Sequence, residues 1–93
     1  MRRFSLVWSS CFKRTAKLFL RQHPDLRDVL SDVLHKLECD PHDPALRLHA
    51  LRGKLEGKQA VSLTYSYRLV VTVETTESEI ILHDIGSHDK VYK

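Results

Sequence analysis

The sequence predicts an α+β domain in the order β-α-α-β-β-β, an antiparallel sheet covered on one face by a helical hairpin. Three observations lead there. Tyr65 to Glu74 alternates with the period of a strand and contains no Gly or Pro. Leu26, Val29, Leu30, Val33, Leu34 and Leu37 recur at steps of three and four, the stripe of an amphipathic helix. Between the two, Cys39-Asp-Pro-His-Asp-Pro is a loop, because its paired prolines forbid regular structure.

The elements follow in order. Arg3 to Trp8 reads as a short strand with Phe4, Leu6 and Trp8 on one face. Ser9 and Ser10 offer the cap of a helix that runs to Gln22. Phe12, Ala16, Phe19 and Leu20 form its apolar face, and Lys13, Arg14, Lys17 and Arg21 cover the other. That basic face suits an RNA backbone or an acidic partner, although each residue alone reads as solvated surface. His23-Pro24-Asp25 ends this helix and starts the next. Ala45 to Lys58 is polar, with Leu46, Leu48 and Leu51 as anchors, and Gly53 and Gly57 permit turns. Its glycine spacing is not that of a phosphate-binding loop.

Gln59 to Thr64 reads as a strand with Val61 and Leu63 inward. In the central strand, Tyr65, Tyr67, Leu69, Val71 and Val73 point to the core. Ser66, Arg68, Val70, Thr72 and Glu74 form the outer face. Glu74 to Ser78 is a hairpin turn, Glu79 to Ile85 the last long strand, and Gly86-Ser87 its breaker. A turn centred near Thr76 places Arg68 opposite Asp84 and Ile85.

The 93 residues suffice for one domain, residues 1–93, with one modest core. A net charge of +3 gives a mild basic bias. No apolar run is long enough to span a membrane, and the N-terminal stretch lacks the pattern of a signal peptide. Cys11 and Cys39 form no Cys-x-x-Cys pair and read as small helix residues, which favours a reducing cytoplasm. None of the six histidines is spaced four residues from another, so no metal site and no cofactor is expected. His83 reads as sheet packing, and His23, His35 and His42 read as surface.

Arg68 is one guanidinium held on the stiffest element. Its planar fork matches phosphate oxygens, and the plainer alternative is an ion pair with a neighbouring carboxylate.

Four pieces carry a family resemblance: Phe12-Lys-Arg, His49-Ala-Leu-Arg-Gly-Lys-Leu-Glu-Gly, Tyr67-Arg-Leu-Val-Val and Asp84-Ile-Gly-Ser-His-Asp-Lys-Val-Tyr. In this order they resemble the YafQ-like (RelE/StbE) branch of the RelE/ParE superfamily, the toxins of bacterial type II toxin–antitoxin systems. The resemblance runs from Phe4 to Tyr92. It implies a RelE-like fold and a cytoplasmic, ribosome-dependent endoribonuclease that cuts mRNA without a metal. It also implies a cognate antitoxin bound in a hetero-oligomer. By the same resemblance His88, His49 and Arg68 are the catalytic candidates, and Arg52, Lys54 and Tyr92 the RNA-binding ones. Ala60 and Ser66 stand where some YafQ-like toxins carry acids, so a scheme built on those carboxylates does not transfer. Asp84 and Asp89 flank the C-terminal motif and are candidates to orient a histidine. Two other readings share the topology, a ParE-like inhibitor of DNA gyrase and an inactive antitoxin-binding homologue.

Overall fold

A computed structural model describes residues 3–87 and 89 of the chain. His88 and Tyr92, named above, lie outside the described residues. The elements are β1 (Ser5–Trp8), α1 (Ser10–Gln22), α2 (Arg27–Cys39), β2 (His49–Ala50), β3 (Gln59–Ser62), β4 (Tyr67–Glu74) and β5 (Glu79–Ser87). Short 3-10 turns at Pro24–Leu26, Pro44–Leu46 and Gly53–Leu55 connect them. The sheet order is β1-β5-β4-β3-β2.

Local chemistry explains the helix limits. Ser9 caps α1, its hydroxyl accepting a hydrogen bond from the Phe12 N–H at 3.0 Å. Pro24 sits at the start of a 3-10 turn, so α2 begins at Arg27, later than expected. Asp40 and Asp43 accept bonds from the backbone N–H groups of His42 and Ala45, fixing the proline-rich loop.

Phe12, Ala16 and Phe19 of α1 and Leu30, Val33 and Leu37 of α2 pack on one sheet face. They meet Val61, Leu63, Leu69, Val71, Ile80, Leu82 and Ile85 there. Phe12 is fully buried, with the Trp8 ring edge-on at 5.0 Å.

Four sequence expectations need correction. The sheet is mixed, because β1 runs parallel to β5. The cause is β2, a two-residue strand too short to show periodicity. Short connections reverse the chain at each element, so six passes leave the first and last antiparallel and a seventh makes them parallel. Next, β4 begins at Tyr67, and Tyr65 is 95 % exposed in the preceding turn, not core. Gly86-Ser87 does not break β5, which continues through both because β4 still pairs with them. Lastly, a second small core lies on the outer sheet face beside the one expected. Val70 is buried there with Leu51 and Ala60, against partly buried Leu55. The chain after β2 folds over that face and covers it.

Replacing Phe12 with Ala should cost about 3–5 kcal/mol of stability, a large share of the ~5–15 kcal/mol typical of a domain. Denaturant melts of the two proteins would measure it, and a loss near zero would contradict the packing described.

Candidate functional site

The site is built on the turn between β3 and β4. Leu63 and Thr64 both donate backbone N–H bonds to the Tyr67 carbonyl, at 3.0 and 3.3 Å. The Ser66 N–H donates to the Thr64 hydroxyl at 3.2 Å. Arg68 then curls back beneath the turn. Its Nη1 donates to the carbonyls of Thr64, Tyr65 and Tyr67 at 2.7, 3.1 and 3.0 Å. Nη1 has two hydrogens, so two of these carbonyls share one, and together the three orient the guanidinium. An oriented cation needs no rearrangement when a negative charge arrives.

A cleft of about 470 Å³ opens beside it, lined by Tyr65, Ser66, Arg68, Ser87 and Asp89. Tyr65, Ser87 and Asp89 are exposed. The cleft therefore offers a planar cation, a carboxylate, two hydroxyls and an exposed phenol, groups able to hold a phosphate and its sugar. The sequence put Tyr65 in the core, Ser66 on the outer strand face and Ser87 in a strand breaker. A polar Thr64-Tyr-Ser66 run was the signal available, since Thr and Ser side chains bind turn backbone.

Arg68 lies opposite Gly86, one or two residues beyond the expected Asp84 and Ile85. A bulge between Val70 and Val71 inserts His83 as an extra residue on β5 and shifts the register. His88 is outside the described residues, but its sequence neighbours Ser87 and Asp89 both line the cleft.

His49 is exposed on the edge strand, in a row running across the sheet through Ala60, Val70 and Asp84. Its Nδ1 lies 2.8 Å from the Arg47 carbonyl and must donate there, which makes Nε2 the basic nitrogen of the neutral ring. Arg68 is two strands across and two residues along, about 12 Å away between Cα atoms by standard sheet spacing. His49 does not line the Arg68 cleft. Arg52 and Lys54 do not either; both are exposed around the Gly53–Leu55 turn. That turn is anchored by Leu51 and Leu55 on the outer face, so its cations border the Arg68 side of the sheet.

Among the described residues, no three of His, Cys, Asp and Glu gather as metal donors. A His–Cys pair does have the four-residue helical spacing, with Cys39 Sγ 3.8 Å from His35 Nε2.

No family model and no curated protein matches the sequence. Solved structures do. YafQ from E. coli strain BL21(DE3) superposes with a TM-score of 0.79 at 15 % identity, over 97 % of this chain and 99 % of that one. The chain has the RelE/YafQ-like toxin fold. YafQ in the E. coli DinJ-YafQ toxin-antitoxin complex gives a TM-score of 0.78 at 15 % identity, covering 98 % of this chain and 99 % of that one. A copper-bound mutant toxin from Helicobacter pylori shares 28 % identity, with a TM-score of 0.76 over 96 % and 99 % of the two chains. The RelE/YafQ-like fold is thus held in common by toxins of toxin–antitoxin systems, and in this chain its β3–β4 turn carries the Arg68 cleft. No helix among the described residues is long and apolar enough to cross a membrane.

His83 Nε2 shares a 2.7 Å hydrogen bond with the Thr72 hydroxyl. Burial first, and the nearby Lys58 ammonium second, hold its pKa below the ordinary 6.5. The folded chain then binds fewer protons than the unfolded one as pH falls past that value. The stability contributed by the neutral ring is complete above it and is lost on acidification. His83→Gln should flatten the acid side of the stability profile. Melting temperatures of both proteins between about pH 7.5 and 5.5 would test it; parallel curves would contradict the assignment.

Proposed function

We propose that residues 1–93 form one toxin domain that cleaves mRNA on the ribosome, held in check by a cognate antitoxin in a cytoplasmic hetero-oligomer. The observation that carries this reading is the oriented Arg68 guanidinium facing a polar cleft, on a fold held in common with toxins.

The chemistry follows from RNA itself. A base takes the 2′ proton, and the 2′ oxygen attacks the adjacent phosphorus. The bond from phosphorus to the 5′ oxygen breaks, leaving a 2′,3′-cyclic phosphate and a 5′-hydroxyl that an acid protonates. No metal is required. Arg68 stabilises the charge that grows on the phosphate. His88 is assigned as a proton carrier, and His49, which does not line the Arg68 cleft, is the second candidate for an RNA that runs along the outer face. Asp89 is placed to orient a donor in the cleft. Arg52 and Lys54 grip the RNA backbone along the outer face, and Tyr92 supplies an aromatic contact. Few groups and a modest net charge imply that the ribosome supplies much of the substrate's orientation.

The antitoxin is assigned to the open edge of the sheet. A groove of about 620 Å³ lies between β1 and α2, lined by Leu6, Trp8, Leu20, Leu30 and Leu34, with Arg27, His35 and one carboxylate, Glu38, among its polar residues. With the Lys13, Arg14, Lys17 and Arg21 face of α1, it suits an acidic amphipathic segment. Ser31 lines this groove and is exposed, so Ser31→Glu sets a like charge against the acidic segment without entering the core. We expect antitoxin affinity to fall by roughly tenfold or more, as for loss of an interface anchor. Wild-type affinity in that variant would move the antitoxin elsewhere.

The fold is also that of a YoeB/ParE toxin from Agrobacterium tumefaciens, so gyrase inhibition is the competing outcome. The deciding experiment maps RNA 5′ ends in a cell-free translation system, with ribosomes present and absent. Cuts should depend on ribosomes. Arg68→Ala should reduce them by on the order of 10²–10³-fold, part of it through the turn carbonyls it leaves without a donor, and Arg68→Lys, which keeps a cation, should restore only part because the fork is lost. Intact mRNA with altered DNA supercoiling would favour the gyrase reading.

A further inference from the structure

A second groove adjoins the Arg68 cleft, on the other side of the sheet end. It holds about 230 Å³, and its lining includes Leu18, Phe19, Gln22, His23, Tyr67 and Ser87. Ser87 lines both spaces. Tyr67 and Arg68 are consecutive on β4 and project to opposite faces, so the two spaces meet across the end of the sheet.

The walls of this groove are rings. Phe19, His23 and Tyr67 contact one another in all three pairs, with centroids 4.7 to 5.0 Å apart. His23 is where α1 stops, ahead of Pro24, its N–H bonded to the Phe19 carbonyl at 2.8 Å. The stop turns its ring onto Tyr67, so His23 is half-buried in an aromatic cluster and not the surface residue its sequence suggested. Tyr67 is likewise half-buried. Gln22 is exposed at the rim and brings an amide that both donates and accepts. Leu18, 51 % exposed on α1, adds an apolar edge.

We propose that this groove receives the unpaired nucleobase next to the phosphate bound at Arg68, with Tyr67 and His23 as the stacking wall and Gln22 reading the base edge. The inference rests on the ribonuclease reading above and adds a specificity subsite to it. Three features select a base over other occupants. The volume, about 230 Å³, is below the roughly 300–1,000 Å³ of pockets for drug-sized ligands and suits one planar ring system. Aromatic rings beside an amide are the chemistry by which proteins hold splayed single-stranded bases. Continuity through Ser87 places the groove beside the phosphate position on a strand crossing the sheet end.

The test maps cut sites over many messages in the translation system, comparing wild type, Gln22→Ala, Tyr67→Leu and Tyr67→Phe. Gln22 is exposed, so its variant folds. Gln22→Ala should reduce the base preference at a nucleotide flanking the cut by on the order of tenfold. Tyr67→Leu should lower cleavage by on the order of tenfold, and Tyr67→Phe should retain it, because the ring and not the hydroxyl stacks. Cutting by all three variants at wild-type rate and preference overturns the subsite while leaving the ribonuclease reading intact. Messages left whole by the wild-type protein overturn both.

Discussion

The geometry of the site depends on one side chain holding its own turn. The β3–β4 turn gathers the carbonyls of Thr64, Tyr65 and Tyr67 around a single guanidinium nitrogen. Backbone carbonyls crowded together repel one another unless a donor satisfies them, and a cation does so more strongly than a neutral group. With those carbonyls satisfied, Tyr65 is displayed outward and Tyr67 is turned inward against Phe19. The same contact that closes the turn orients the cation. Turn closure and the proposed phosphate contact therefore fall to one residue, and the conservative swap to lysine cannot reproduce both.

Two small irregularities place the rest. The bulge at Val70/Val71 adds His83 to β5 and advances its end, so that Gly86 and Ser87 face Arg68 and Tyr67. Without that extra residue a tight polar turn would set Ile85 opposite Arg68. The two-residue strand β2 brings the chain onto the outer face, where Leu51 and Leu55 cover Val70 and Ala60. The Arg52 and Lys54 cations arrive there as a by-product of that apolar contact. Burial on the second face and the basic border of the site are thus two aspects of one loop.

Much was legible in advance. The stripe from Leu26 to Leu37 and the alternation of Leu69 and Val71 gave the hairpin and the central strand, because burial of one face imposes a period on any chain. Ser9 as a cap and Pro24 as a stop act over a few residues and were equally plain. Arg68 was singled out for its place on a rigid strand, and it does line a polar cleft. The neighbours it meets were harder to foresee. Tyr65 looked like core because it extends the alternation by one step, yet the turn begins before it. His23 looked like surface because it stands in a helix break, although that break presses its ring onto Tyr67, 44 residues later in the chain.

By itself the sequence determined the helices, the strands β1, β3, β4 and β5 and the cation on β4, since these rest on local propensity and periodic burial. The tertiary structure alone decided that β1 lies parallel to β5, that Arg68 faces Gly86, and that Ser87 and Asp89 share a cleft with Tyr65 and Ser66. Those outcomes turn on a two-residue strand and a single bulged residue. Neither is long enough to leave a period in the sequence, and each acts only through hydrogen bonds between segments far apart in the chain.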